Sequence, residues 1–367
     1  MLKSKKKIIG VVLVTYFLIE LTCYIFIKSG YIKTQLPDFK YEYTLTEYPF
    51  EVADIDSVWG TWHYREPFRR MENCLDFDFD INSMGARDKE RVFLSKDTNR
   101  VFVLGDSFME GYGLAENDRL SNLLEKNTQR EFLNFSCSDF GTTQEWLLYN
   151  KLGKQFNHST LLIGILPLND FEDNDTSIHV NPYYKRFRPY FKGVYPDYKL
   201  VYDQDSIQKA TFNKAGFFKK ENSFRAKIVR FFRAYTYWFN IVTYVKDYPV
   251  TSKYKPASGY YDYSRENLGK ICFILEKIKQ QAIGKRIIVV TIPVAEDIKR
   301  FRKVGKPSLH DSMDSFCRRN NMEYVDLLPH MAGIPQAEKL FFFDCDFHWN
   351  REGNKFAAGI LQPLFSR

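Results

Sequence analysis

The sequence predicts an α/β domain built on a parallel sheet, preceded by one membrane-crossing helix and interrupted by a large insertion. Three observations predict it. Short, continuously apolar runs alternate with segments of helical spacing from residue 100 onward; polar clusters follow the ends of those runs; and Ile8–Ile27 is apolar over about twenty residues. Strands covered on both faces read as unbroken apolar runs, because parallel crossovers lay helices on each side. In order, Arg100–Leu104 is a strand stopped by Gly105, Arg119–Arg130 a helix, Glu131–Phe135 a strand and Thr142–Phe156 a helix. Thr160–Leu166 is a third strand. Ser264–Ala282 is a helix with Leu268, Ile271, Leu275 and Ile278 on one face, stopped by Gly284. Arg286–Ile292 is a strand closed by Pro293, Leu309–Arg319 a helix and Glu323–Leu328 a last strand. In such sheets, sites gather at the carboxyl ends of strands.

Composition narrows the class. With 367 residues and 44% hydrophobic content the chain can bury a substantial core, which excludes a disordered or fibrous protein. Six cysteines, at 23, 74, 137, 272, 317 and 345, show no CxxC or Cys/His ligand spacing, so no zinc ribbon or thioredoxin motif is present. The net charge of +8 invites a nucleic-acid reading, but the excess is local: residues 185–233 hold 13 Lys and Arg against 4 Asp and Glu. No helix-turn-helix, zinc-finger or RNA-platform pattern accompanies it, so nucleic acid is not expected as a partner.

The run Ile8–Ile27 is long enough for a helix to cross a bilayer core of roughly 30 Å. Lys3, Lys5, Lys6 and Lys7 precede it, and the positive-inside rule keeps them cytoplasmic, which places everything after Lys28 outside the cytoplasm. No small-residue cleavage site follows, so a retained signal anchor is expected rather than a removed signal peptide. Glu20 is costly in such a helix; it either marks a partner contact or is a tolerated single acid.

The organisation expected is therefore an anchor over 1–30, a strand-rich segment over 31–98 and the α/β domain over 99–367, with an aromatic and basic insertion at 171–263. In the strand-rich segment, Tyr41–Leu45 and Leu75–Asp80 alternate like short strands. In the insertion, Phe224, Ile228, Phe231, Phe232, Tyr235, Trp238, Phe239 and Val242 recur at helical spacing, with Arg225, Lys227, Arg230 and Arg233 mostly elsewhere. This predicts an amphipathic helix, serving either as core or as a platform for an anionic polymer or a membrane surface.

Three segments at strand ends carry the chemistry: Gly105-Asp106-Ser107, Asn169-Asp170, and Asp346-Phe347-His348-Trp349. They supply a hydroxyl, an amide donor, a carboxylate and an imidazole, the inventory for acyl transfer through a serine ester. Ser107 is the candidate nucleophile, His348 its base and Asp346 the acid that orients the imidazole. Asn169 and the backbone N–H of Ser107 are candidate oxyanion donors. Asp344, Asp346 and His348 have alternate spacing without a second histidine cluster, so no metal is expected, and Gly111-Tyr112-Gly113 lacks the Lys-Ser/Thr of a phosphate loop.

These blocks, in this order, resemble the SGNH/GDSL hydrolase superfamily: Gly105-Asp106-Ser107 its nucleophile block, Asn169-Asp170 its asparagine block, His348 its C-terminal base. The resemblance implies a flavodoxin-like three-layer α/β/α sandwich with no cofactor, in which Asp106 and Asp170 support the site. The family often places Asp three residues before the His, where this chain has Cys345; Asp346 instead matches the Asp-x-His-Trp arrangement of a membrane-associated branch resembling alginate and cell-wall O-acetyltransferases. Asp344 stays a second candidate. The family's oxyanion glycine aligns with Asp139, two residues before Gly141; Gly141 is preferred because glycine adopts a positive φ at no cost. Ile81–Arg87 also resembles a segment of that branch and is read as structural. The function implied is esterase or O-acetyltransferase chemistry on an extracytoplasmic carbohydrate ester or polysaccharide, with a membrane-bound acyl-donor protein as a further partner. The alternative is a non-catalytic carbohydrate-binding or assembly protein on a degenerate scaffold, kept open by Asp139 and by Pro167 in the asparagine block.

Overall fold

Five parallel strands form the central sheet: β1 (Val101–Leu104), β2 (Phe132–Asn134), β3 (Thr160–Ile165), β4 (Arg286–Thr291) and β5 (Glu323–Asp326). They are seen in a computed structural model that describes residues 2–29, 53–56, 60–64, 68–72, 75–174, 189–201, 223–242, 245 and 258–366. The order across the sheet is β2-β1-β3-β4-β5, and every neighbouring pair is parallel. This is the flavodoxin-like arrangement. β1, β2 and β3 are buried along their whole length, as their unbroken apolar sequences require. The helices Leu120–Thr128 and Arg351–Leu361 pack on each other, and so do Thr142–Lys151 and Arg265–Gln281, giving three layers.

The order fixes the place of a site. From β1 the chain steps outward to β2, then returns to β3 on the other side of β1. Connections leaving β1 and β3 therefore diverge, and a crevice opens at their carboxyl ends. Ser107 follows β1 and Asn169 follows β3.

Local sequence explains most boundaries. The hydroxyl of Ser264 accepts from the Asn267 N–H at 3.0 Å and starts the helix Arg265–Gln281, whose Ile271, Ile274, Leu275 and Ile278 are buried. The last strand was expected to reach Leu328 but ends at Asp326. The Asp326 carboxylate accepts the Leu328 N–H at 3.0 Å, and this cap turns the chain into the helix Leu327–Ala332. Leu75–Phe79 pairs antiparallel with Phe68–Glu72 and buries Leu75, Phe77 and Phe79 while exposing the two aspartates between them. Tyr41–Leu45 lies outside the described residues.

The chain divides into two compact units, one of Leu45–Phe212 with Ala257–Arg367 and one of Met1–Thr44 with Asn213–Pro256. This differs from the division expected at 31–98, 99–367 and 171–263. The described part of 31–98 belongs with the α/β sandwich, because the 82–91 segment is bonded to it. The insertion splits. Its Tyr190–Lys192 and Lys199–Val201 hairpin packs Phe191 against Phe273 and Trp146, at 5.1 and 5.4 Å between centroids, whereas residues 213–256 group with the apolar N-terminal helix. That helix, Leu2–Lys28, is long and apolar enough to cross a membrane.

Gly105 bridges β1 and the nucleophile at φ +156°, and a Cβ there would lie 2.4 Å from the Met109 side chain. Replacing Gly105 with Ala is therefore expected to cost at least about 2 kcal/mol, from backbone strain and overpacking together, measured as a lowered urea midpoint with an unchanged m-value.

Candidate active site

The turn after β1 is built by Asp106. Its carboxylate accepts the Phe108 N–H at 3.0 Å, capping the short helix Ser107–Glu110 and placing Ser107 at that helix's first position. The Ser107 side chain is thereby held at the carboxyl end of the sheet. His348 arrives from the far end of the chain, on a loop without regular structure. Three contacts fix that loop: Phe342 and Trp349 form an antiparallel bridge, the Phe343 N–H donates to the His348 carbonyl at 3.1 Å, and the buried Trp349 ring stands edge-on to Phe108 at 5.2 Å. Asn350 then caps the helix Arg351–Leu361 through the Gly353 N–H at 3.1 Å.

The result is a relay. His348 Nε2 lies 2.7 Å from Ser107 Oγ, and His348 Nδ1 is hydrogen-bonded to Asp346 Oδ1. The same carboxylate oxygen accepts the backbone N–H of His348 at 2.9 Å, so one turn holds both acid and base. Asp344 is exposed at the surface of the loop. With Nδ1–H given to Asp346, Nε2 is left as the acceptor for the serine proton. Phe108 and Tyr112 flank the imidazole at 4.9 and 4.6 Å between ring centroids, and the ring is 7% exposed. Cys345, beside Asp346, is disulfide-bonded.

Asn169 donates from Nδ2 to Asp106 Oδ2 at 3.3 Å, which ties the segment after β3 to the nucleophile turn. An amide carries two hydrogens on that nitrogen, so a second remains for a substrate oxygen. Asp170 is buried at the end of β3. Its carboxylate accepts the Leu166 N–H at 2.6 Å and closes the turn at the end of β3, a structural role. Gly141 does not have the conformation for which it was preferred. It is extended at φ −101°, and its N–H donates to Gln144 Oε1 at 3.2 Å within a helix cap. The positive φ belongs to Asp139, at 66°, a conformation that aspartate tolerates better than most residues. The conformational argument for an oxyanion donor therefore moves from Gly141 to Asp139.

Two features escaped the sequence reading. Glu145, in the first turn of Thr142–Lys151, is fully buried with no hydrogen-bond partner on either carboxylate oxygen. Burial, and then the negative charge of Asp106, hold its carboxyl well above the ordinary range. It sits in an unremarkable polar run, Thr142-Thr143-Gln144-Glu145, and no spacing marks it. The second is the particular set of contacts made by Arg87, in the segment Ile81–Arg87 that the sequence marked only as structural. Its guanidinium donates to the carbonyls of Gly111 at 2.6 Å, Asp78 at 3.0 Å and Leu114 at 2.5 Å, and stacks over Phe79 at 4.5 Å. The segment 82–87 thus clamps the loop that follows the nucleophile helix. Among the described residues no cluster could hold a metal ion, and the imidazole of His158 is buried against Tyr149 and pushed down to about 4 by desolvation.

Fold and site together define a parallel α/β sandwich in which Ser107, His348 and Asp346 are joined by hydrogen bonds at the carboxyl end of the sheet. No protein-family model matches the chain, and no curated protein sequence matches it. Solved structures similar to it include a lipase/acylhydrolase from Enterococcus faecalis, at 13% identity and a TM-score of 0.37 over 73% of this chain and 95% of that one. A GDSL-like lipase from Bacteroides thetaiotaomicron VPI-5482 has 12% identity and a TM-score of 0.35 over 75% and 91%. A member of the lipolytic G-D-S-L family from Veillonella parvula DSM 2008 has 9% identity and a TM-score of 0.36 over 73% and 98%.

Glu145 gives the site a pH signature. Burial raises its ionisation in the folded chain above the value of about 4.3 expected when unfolded, so above about pH 4 the unfolded state holds fewer protons and stability falls as pH rises towards the raised folded value. Glu145→Gln removes this titration. The melting temperature of the variant relative to wild type is expected to climb as pH rises above about 4 in thermal scans, starting from whatever constant offset the amide introduces.

Proposed function

We propose that this chain is a membrane-anchored serine enzyme that cleaves or transfers an acyl ester, of the SGNH/GDSL type that its motifs resemble. The observation that carries the reading is the approach of His348 Nε2 to Ser107 Oγ, 2.7 Å, with Asp346 on the other ring nitrogen. Ser107 Oγ attacks the ester carbonyl carbon while His348 takes its proton, and the carbonyl π pair moves onto oxygen. Ser107 N–H, at the head of its helix, the second amide hydrogen of Asn169 and the backbone at Asp139 are the donors for that oxyanion. Collapse expels the alcohol, which leaves with the proton from His348. The acyl-serine is then resolved by water, or by a sugar hydroxyl in the transfer reaction, with His348 again taking a proton. The substrate class we favour is an acylated carbohydrate, and transfer is favoured by the Asp-x-His-Trp arrangement, with an acyl donor delivered in the membrane. An extracytoplasmic site is supported by the lysines before the apolar helix and by the disulfide at Cys345, since disulfides persist in oxidising compartments.

The relay acts as a unit, so Ser107→Ala and His348→Ala are each expected to lower turnover by on the order of 10³ to 10⁶, and the double variant little further. Asp346→Asn should cost about 10² or more while Asp344→Asn stays near wild type, because only the partner of the imidazole N–H sets its tautomer. Incubation with an activated acetyl ester should add one acetyl group to Ser107 by mass spectrometry, and an acceptor glycan should speed its loss if transfer is the reaction. A fully active Ser107→Ala protein would sink the serine reading, and a wild-type protein that neither turns over nor is acetylated would leave the binding-scaffold alternative.

Topology is tested separately. A reporter fused after Arg367 is expected to be active outside the cytoplasm alone, and the protein to remain with membranes through a high-salt wash. A soluble form beginning near residue 30 would show that the anchor is removed.

A further inference from the structure

Residues 224–242 were expected as one amphipathic helix, and they are broken instead. Phe224–Tyr235 is helical, Thr236 interrupts, and residues 237–242 are helical again. At the break the Thr236 hydroxyl donates back to the Phe232 carbonyl at 2.6 Å. The Tyr237 N–H, which would continue the ladder four residues back, donates instead to Glu20 Oε2 at 2.7 Å. The other oxygen of Glu20 accepts the Tyr16 hydroxyl at 3.0 Å, and the Tyr24 and Tyr237 rings meet edge to face at 5.3 Å between centroids. The acid in the middle of the apolar N-terminal helix therefore has a partner, and the partner comes from the insertion.

Its depth matters. Glu20 stands eight residues before Lys28, about 12 Å down the helix axis from that lysine. If Lys28 marks the boundary of the hydrocarbon, the Tyr237 N–H meets Glu20 well inside a core roughly 30 Å thick. There neither an unpaired N–H nor an unpaired carboxylate is tolerated, and each satisfies the other. The face of Phe224–Tyr235 supports the same medium. Phe224, Ile228, Phe231 and Tyr235, spaced along one side, are 80%, 39%, 58% and 43% exposed, and Val242 beyond the break is 52% exposed. Arg225 and Lys227 are exposed beside them, suited to reach headgroups while their stems lie along apolar surface.

We infer that residues 224–242 dip into the bilayer leaflet nearer Lys28, docked on the anchor helix through Glu20, with Phe224, Ile228, Phe231 and Tyr235 against phospholipid acyl chains. The chain then holds the membrane at two places, its N-terminal helix and this broken helix. The inference rests on the reading of Leu2–Lys28 as a membrane span, and the experiment separates the two.

The full chain, carrying the photocrosslinker benzoylphenylalanine at Phe17, Phe231 or Ile283 in turn, is reconstituted into vesicles of phosphatidylcholine and phosphatidylglycerol with a soluble polyuronate added outside. Phospholipid adducts, read by mass, are expected at Phe17 and Phe231 and not at Ile283, which is exposed on the α/β unit. Glu20→Leu should lower the Phe231 adduct several-fold and leave Phe17 unchanged. Glu20→Gln, which keeps an acceptor for the Tyr237 N–H, should restore it. Adducts at Phe17 with none at Phe231 overturn the inference and spare the anchor. Adducts at neither overturn both. A polyuronate adduct at Phe231 assigns the face to a glycan instead, and a yield indifferent to Glu20→Leu removes the carboxylate's docking role.

Discussion

Ser107 and His348 are 241 residues apart in sequence and 2.7 Å apart at their reacting atoms, and most of the α/β unit can be understood as the means of keeping that distance. The serine side is rigid by construction. A buried strand, a glycine at φ +156° and an aspartate cap leave the hydroxyl little freedom. The histidine side has no strand or helix under it, so its position depends on tertiary contacts. Trp349 fills the space beside Phe108 and donates its indole N–H to the Pro293 carbonyl at 3.3 Å, while Asn350 binds the carbonyls of Leu340 and Phe342, each at 2.9 Å. Trp349 is thus the wedge that holds the His348 loop against the helix Ser107–Glu110.

Buried charge is concentrated around that helix, and each case is settled differently. Arg87 donates to three backbone carbonyls and lies over the rings of Phe77 and Phe79. Arg91 and Asp88 pair with each other, and both also bind the edge strand: Arg91 donates to the Phe132 carbonyl at 2.8 Å and Asp88 accepts the Asn134 N–H at 3.1 Å. Glu145 has no hydrogen-bond partner on either oxygen, and burial raises its carboxyl well above the ordinary range. A negative Glu145 would stand in the field of Asp106, whose carboxylate is engaged by Phe108 and Asn169.

How much of this was legible follows from the range of the interactions involved. The first four strands could be read because burial on both faces is written as an apolar run, and the residues that meet at Ser107, His348 and Asp346 because short polar blocks stand beside strand and helix ends. The choice of Asp346 over Asp344 was open in the sequence, since both lie within reach of His348, and it is decided by which carboxylate the turn directs at Nδ1. The oxyanion backbone misled for a specific reason: glycine was taken as the residue of positive φ, but the turn places Asp139 in that conformation and uses Gly141 as an extended cap. Propensity names the residue best suited to a conformation, and the path of the chain from β2 to the next helix chooses the one that adopts it. The burial of Glu145, the contacts of Arg87 and the shortened β5 could not be read there, because each depends on packing or partners far away in sequence or on a cap that competes with the strand pattern.

The insertion shows the same limit and also what continuity of the chain adds. The sequence marked it as foreign to the α/β pattern, and the structure divides it between two units, leaving one at Phe212 and re-entering it at Ala257. Two residues after re-entry the backbone of Gly259 lies so close to the asparagine segment that a Cβ would sit 1.9 Å from the Pro167 carbonyl oxygen. Ser258 beside it is bonded to Asp297, and Tyr260 is fully buried with its hydroxyl on Asp326 at 3.2 Å. The returning chain is therefore anchored at once, by backbone packing and buried hydrogen bonds, against the turn that presents Asn169. Pro167 takes part in this arrangement: it has no N–H to satisfy, and its carbonyl lies in the space that the missing side chain of Gly259 leaves open. What looked in the sequence like a weakened asparagine block is the place where the long excursion of the chain is fastened back onto the site.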